Sequence, residues 1–190
     1  MANPAILRPQ VHRLAEACSN EGEAFQSTAT RLIKQQRRLS RFFEQNFAPM
    51  GPMAGQVSMY MLSVSIRIFE QTGGRLKKVP GRDIDAATAK IMAIADGIMP
   101  ADDGFAARAR AIDWRAQPHL LDEVLWALFE RDEKQEAEVD LEPHISAMVY
   151  LMLWAAVEAL DQSWIPAKDW TPESGLIEGE DPATWTPPEA

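Results

Sequence analysis

Residues 145–164 carry an apolar side chain at almost every position, and the only charged residues among them are Glu158 and Asp161. A helix that is apolar on all sides must be surrounded by other parts of a protein. The stretch exceeds a typical strand of about 5 to 6 residues, and its two acids argue against a membrane span of about 20 apolar residues. We therefore predict an all-α fold of about six helices that pack around this central helix.

Chain length and cysteine content indicate the class of protein. The 190 residues suit one sizeable hydrophobic core, and we expect a helical domain over residues 1–165. The single cysteine, Cys18, has no partner for an internal disulfide. The first residues also lack the continuous apolar run of a secretory signal. Both features favour a reducing, cytoplasmic setting.

The net charge of −9 hides two parts of opposite sign. Residues 1–118 contain 16 Lys and Arg against 11 Asp and Glu, a net charge of +5. Residues 119–190 contain 3 Lys and Arg against 17 Asp and Glu, a net charge of −14. Such a chain can pair its two parts internally, pair with copies of itself, or present its basic part to an anionic partner.

Apolar side chains recur every seven residues early in the chain, a spacing typical of a helix that pairs along one seam. They are Val11, Cys18, Phe25, Leu32 and Leu39. No proline interrupts residues 11–47, where Gly22 is the one weak point for a helix. We predict one helix over residues 11–47, roughly 55 Å long at about 1.5 Å per residue. Because a compact domain needs less, part of it should project or pair with another helix.

The same predicted helix carries five basic side chains within an arc of roughly 120°. They are Arg31, Lys34, Arg37, Arg38 and Arg41. A solvated helix face is the commoner interpretation of such a stripe. The alternative is a docking stripe for phosphate groups or for an acidic protein surface. Aromatic side chains that could stack on bases are absent from this face, so nucleic acid is not specifically indicated.

Residues 49–56 contain two prolines and two glycines and predict a break in the helix. In residues 57–72, Val64, Ile66 and Ile68 alternate with polar residues as in a strand, but the apolar residues also fit helical faces. A glycine pair follows, which is a good helix stop. We therefore predict a buried helix, and after it a basic connector over residues 75–82.

Two short helices are predicted over residues 84–112, the first capped by Asp83. Arg108, Arg110 and Arg115 would lie on or just beyond the second helix, where base-reading side chains belong in a helix-turn-helix motif. The pair lacks a distinctive turn signature. A nucleic-acid-binding protein that uses Arg31 to Arg41 and this helix pair is therefore the alternative function.

From Pro118, paired apolar residues predict another helix. It runs into residues 130–142, which hold seven acids and two bases. We interpret this segment either as a solvated helix end and loop or as the counterpart of the basic stripe, within the chain or on a neighbouring copy.

Residues 166–190 are rich in proline and acid, a composition that cannot bury enough surface to fold alone. We predict an acidic, extended tail. Trp170 and Trp185 each begin a Trp-Thr-Pro triplet in this tail. Two interpretations stay open: the tryptophans anchor in the groove of a partner, or they strap the tail onto its own domain.

Recognised catalytic motifs are missing from the sequence. His12, His119 and His144 fit neither a zinc site nor the paired pattern of di-iron bundles. No phosphate-binding glycine loop and no nucleophile motif is present. We expect no catalytic residue, no metal site and no cofactor.

Glu158 is the candidate for a perturbed carboxylate, because a helix apolar on all sides would desolvate it. Trp154 lies one turn before it. An ion pair with a buried arginine such as Arg67 is a more common role for such a residue than catalysis.

These features predict a non-catalytic helical protein that binds other protein chains, copies of itself included, as a subunit, adaptor or assembly component. Binding is expected through the N-terminal helix with its stripe, Arg31 to Arg41, and through the tail with Trp170 and Trp185. Nucleic-acid binding is the second hypothesis, and an enzyme with a helical pocket around Glu158 is the third. No membrane span is expected.

Overall fold

The computed structural model of the chain describes residues 2–131 and 140–188. In these residues the fold is all-α, as predicted, with eight α-helices and one pair of two-residue strands. The helices are α1 Arg8–Asn20, α2 Phe25–Gln35, α3 Arg37–Phe47, α4 Pro52–Thr72, α5 Gly81–Ile98, α6 Phe105–Arg110, α7 Pro118–Leu125 and α8 Pro143–Ser163. The strands β1 Arg75–Leu76 and β2 Trp164–Ile165 pair antiparallel.

The predicted central helix is confirmed as α8, which packs against α4, α5 and α7. Its Tyr150 and Trp154 are among the largest fully buried side chains of the protein. Length and composition alone would let α8 cross a membrane, but 78% of its apolar window is buried inside the protein. A core helix that other helices cover has this pattern.

The prediction of one long helix over residues 11–47 is wrong, since α1, α2 and α3 divide that stretch. The first break is at Gly22, whose φ of +54° favours glycine. The second is at Gln36, with φ −110° and ψ 49°. The side chains of the seven-residue repeat are buried. They face α4 and other helices of their own domain instead of projecting, because α1, α2 and α3 all pack against α4.

The helix predicted over residues 57–72 is confirmed, but it begins earlier, at Pro52. Proline is tolerated at the first position of a helix because the N–H it lacks has no partner there. The predicted break over residues 49–56 is therefore too long. The predicted Asp83 cap is also wrong: Pro80 precedes α5, and Asp83 lies in its first turn.

The helix predicted from Pro118 is confirmed as α7, which continues as one π-helical turn, Trp126–Glu130. Most of the acidic segment 130–142 lies outside the described residues. At the other end of α8, the strand pair and two hydrogen bonds join the helix to the connector after α4. Lys77 N–H donates to Ser163 O at 2.9 Å, and Trp164 Nε1 donates to Gly73 O at 2.8 Å.

Candidate interaction surfaces

All five side chains of the predicted basic stripe are exposed: Arg31, Lys34, Arg37, Arg38 and Arg41. They lie on α2 and α3, on both sides of the break at Gln36. The stripe therefore turns a corner with the chain instead of running along one straight helix. Its identification as a surface feature is confirmed, and its role in binding stays a prediction.

The structure brings a second basic run to this corner. Gln36 Nε2 donates to Lys77 O at 2.9 Å, and its Oε1 accepts the Val79 N–H at 2.9 Å. The guanidinium of Arg38 lies so close to Gly81 that an added Cβ would stand 2.8 Å from its Nη1. These contacts fix the connector between α4 and α5 beside the break between α2 and α3.

We call the combined patch the basic surface. It consists of the stripe together with the exposed connector side chains: Arg31, Lys34, Arg37, Arg38, Arg41, Arg75, Lys77, Lys78 and Arg82. The sequence shows both runs, but it does not show that they adjoin. Their proximity depends on hydrogen bonds between residues 41 and 43 positions apart.

Two acids partly neutralise the basic surface. The guanidinium of Arg31 donates two hydrogen bonds of 2.6 and 2.8 Å to the carboxylate of Glu70. The hydrogen bond from Arg31 lowers the pKa of Glu70, and Arg67 adds to that effect. Asp83 lies 3.4 Å from Arg82. The other stripe cations, Lys34, Arg37, Arg38 and Arg41, form no ion pair with any residue in 2–131 or 140–188. Most of the positive charge therefore faces solvent.

The arginines around the second helix of the predicted pair bind their own domain. Arg108 Nε donates to Ile98 O at 2.7 Å, and Nη2 donates to Asp102 at 2.7 Å. The other two make ion pairs with acids of α7 and the turn after it: Arg110 with Glu130, and Arg115 with Asp122 at 2.6 Å. A base edge would have to compete with these contacts for the same guanidinium groups.

Glu158 is 7% exposed and makes hydrogen bonds inside the domain. Its Oε1 accepts the Ala116 N–H at 2.9 Å and the indole N–H of Trp154 at 3.0 Å. The prediction that a buried arginine such as Arg67 pairs with Glu158 is wrong, because Arg67 binds Glu70. Glu158 lines neither of two cavities of about 180 and 510 Å³ at the edge of the domain. Its contacts join α8 to the segment before α7, which is a structural role.

Asp161, one turn further along α8, is a buried acid that sequence reasoning missed. Its Oδ1 accepts Gln117 Nε2 at 2.7 Å, and its Oδ2 accepts the Asn3 N–H at 3.1 Å. Burial raises the pKa of Asp161, and the bond from Gln117 opposes that shift in part. Its partners are 44 and 158 residues away in sequence, so no local pattern signals them.

A second missed cluster lies between α1 and α7. His12 is 4% exposed, and its Nδ1 lies 3.0 Å from Glu123 Oε1. Arg8 Nη2 lies 2.9 Å from the other oxygen of Glu123, and burial lowers the pKa of Arg8 although the charge of Glu123 opposes this. The one sequence signal is the four-residue spacing of Arg8 and His12, which places both on one face of α1.

The remaining histidines have different surroundings. Burial lowers the pKa of His119, which is half-buried. His144 is exposed, and its Nδ1 lies 3.4 Å from Glu142. Within residues 2–131 and 140–188, no group of three His, Cys, Asp or Glu side chains is arranged to hold a metal ion.

The described residues of the tail, 166–188, lie against the domain. Trp170 packs on Trp164 with ring centroids 5.0 Å apart. Trp185 packs on His12 at 5.2 Å, and the Arg8 guanidinium lies 5.9 Å from the Trp185 ring. Both tryptophans stay half-buried. In the described conformation the tail is a strap, and partner binding by its tryptophans stays a prediction.

Comparisons with known proteins do not assign the chain to a group. No protein-family model, no curated protein and no solved structure matches it. Its function is therefore inferred from the chemistry of the surfaces described above.

Proposed function

We propose that this protein is a non-catalytic subunit, adaptor or assembly component that binds an acidic region of another protein through its basic surface. The observation that carries the proposal is the joining of two basic runs at Gln36 into one exposed patch. Charge complementarity of this kind steers association and selects partners.

The contacts of the patch favour a protein partner over nucleic acid. Phe43 is buried and Phe42 is half-buried, so neither offers an open ring to a stacked base. The second element of the nucleic-acid hypothesis, the helix pair, has its arginines bound to their own domain. A carboxylate-bearing protein surface needs only exposed cations, which Arg37, Arg38 and Arg41 provide.

The test is a comparison of two charge-reversed chains. Arg37→Glu together with Lys78→Glu reverses one cation from each run, and both side chains are exposed, so the fold should persist. Lys168→Glu reverses an exposed cation of the tail and is the matched control. Each tagged full chain is purified from nuclease-treated cells, and the native particle is weighed by mass spectrometry.

We expect the unchanged chain and the Lys168→Glu chain to retain the same protein partner, and the doubly reversed chain to lose it. Reversing acids on the identified partner should restore binding to the doubly reversed chain. The proposal fails if all three chains retain the same partner. It also fails if the chain binds a DNA or RNA oligonucleotide with affinity that falls steeply with salt, as phosphate contacts require, and the double reversal abolishes that binding.

A further inference from the structure

The tail meets the domain at three points along its course. Near its start, Trp170 packs on Trp164. In the middle, Arg13 of α1 donates to both the carbonyl oxygen of Gly175 and the carboxylate of Glu180. Near its end, Trp185 packs on His12. The two outer contacts are made by the first residue of each Trp-Thr-Pro triplet, so the repeated sequence has a repeated structural role.

The middle contact determines how the tail lies on α1. The Gly175 backbone approaches the Gln10 side chain so closely that an added Cβ would overlap it. The Arg13 side chain is 37% exposed and that of Glu180 is 16% exposed, so their ion pair lies at the rim of the contact. The tail is therefore recognised by shape at Gly175, by charge at Glu180 and by an aromatic ring at Trp185.

The contact that Trp185 makes with the domain leaves a space beside it. A cavity of about 510 Å³ remains between the domain and the final turn of the tail, with Arg8, His119 and Trp126 on one side and Pro187 and Trp185 on the other. Grooves lined by aromatic side chains commonly hold proline-rich segments. Trp185 is therefore only half-buried beside this cavity.

We propose that this groove, formed by α1 and α7, also docks the tail of a second copy, and that copies associate by exchanging tails. Every copy carries both the groove and the segment that fits it. Exchange replaces each contact within a chain by an identical contact between chains, which is the low-cost route to a dimer. The tail follows β2 and α8, the last α-helix, so exchanging it moves no α-helix of the domain.

Charge supports the same occupant. The tail carries six acids and one base, and Arg13 of the groove pairs with one of those acids, Glu180. Within one chain the tail is held at a high effective concentration, so exchange between unchanged copies needs concentrated protein. Variants that weaken the contact within a chain while preserving it between chains should reveal the exchange.

The Arg13–Glu180 pair allows this design because each partner can be reversed separately. In the Arg13→Glu chain, the groove repels its own tail. In the Glu180→Arg chain, the tail is repelled by its own groove. When the two chains are mixed, the tail of each meets a groove of opposite charge on the other. Both side chains lie at the rim, so the helical domain should fold in both variants.

We expect sedimentation velocity to show a species of twice the chain mass in the mixture. Association in the mixture should be at least about fivefold tighter than that of either variant alone, as expected for restored surface ion pairs. A chain with both substitutions regains the contact internally and should stay single. Replacing the Glu180→Arg chain by Glu178→Arg, a reversal two residues away, should give no tighter association.

The proposal is overturned if the mixture sediments as single chains across the concentration series. It is equally overturned if the Glu178→Arg chain associates with the Arg13→Glu chain as tightly as the Glu180→Arg chain does. The association would then reflect net charge and not the groove. None of these substitutions touches the basic surface. The outcome is therefore independent of the function proposed above.

Discussion

The side-chain oxygen of Gln36 accepts the backbone N–H of Val79 at 2.9 Å. The amide nitrogen of the same side chain donates to Lys77 O, also at 2.9 Å. Gln36 is 5% exposed, so water does not replace either bond. The backbone of Gln36 thus separates α2 from α3, and its side chain holds the connector that completes the basic surface.

Replacing Gln36 by Leu should lower the free energy of unfolding by about 1 to 3 kcal/mol, because it leaves the Val79 N–H and the Lys77 carbonyl without a partner. Urea denaturation followed by circular dichroism measures the change. Gln45→Leu on exposed α3 surface is the matched control, with an expected change within about 0.5 kcal/mol. If Gln36→Leu and Gln45→Leu lowered the free energy of unfolding equally, this role for Gln36 would be contradicted.

Glu158→Leu should destabilise the fold by about 2 to 4 kcal/mol, since two buried donors, the Ala116 N–H and the Trp154 indole N–H, lose their shared acceptor. Glu158→Gln keeps an acceptor oxygen in the same place, so its free energy of unfolding should fall clearly less than that of Glu158→Leu. Urea denaturation of the two variants provides the comparison. If Glu158→Gln lowered the free energy of unfolding more than Glu158→Leu does, the negative charge and not the acceptor oxygen would be what the fold requires.

The Cys18 thiol should be almost unreactive in the folded chain. Burial raises its pKa to about 11, from a reference value of 9.0, and the side chain is 2% exposed. The thiolate is the reacting form. At pH 8 the raised pKa makes the thiolate scarcer, and its higher intrinsic nucleophilicity offsets only part of that loss, so the reaction should be slower by at least about tenfold. A thiol reagent that gives a coloured product measures the rate with and without urea. Similar rates in both conditions would refute the prediction.

The raised pKa of Asp161 predicts a pH dependence with a definite sign. The folded chain holds this proton more tightly than the unfolded chain, whose carboxyl titrates near 3.8. The contribution of Asp161 to the free energy of unfolding should therefore be largest at low pH and decline as pH rises from about 4 through the raised pKa. Carbon-13 NMR of the carboxyl group measures the midpoint directly. A midpoint at or below 3.8 would reverse the sign.

The sequence predicts the helices more securely than it predicts what covers them. The apolar run of α8 and the proline at the start of α7 predict those elements because length and position decide both. The seven-residue repeat of α1 to α3 correctly identifies a buried face. It does not reveal whether α4 or another chain covers that face. For this reason the sequence leaves open whether the helix projects or pairs with another helix, and in the structure α4 covers the face.

The candidate surfaces were predictable to the same extent. Exposure of the stripe follows from helical periodicity, whereas its union with the connector depends on Gln36, which looks like an ordinary polar residue in the sequence. The sequence does not show that the arginines at 108, 110 and 115 are bound, because their acids lie in other segments: before α6, in α7 and in the turn after α7. His12 and Asp161 meet partners 111 and 158 residues away, beyond the reach of any local pattern.

The position of α8 in the chain order affects how the protein is made. It is the last α-helix in the described residues, yet it covers the apolar faces of α4, α5 and α7. While the ribosome translates the residues from Leu125 to Ser163, roughly 2 to 8 s at usual rates, those faces have no cover. We expect the nascent chain to need chaperones most during that interval, and to fold as a whole only after it.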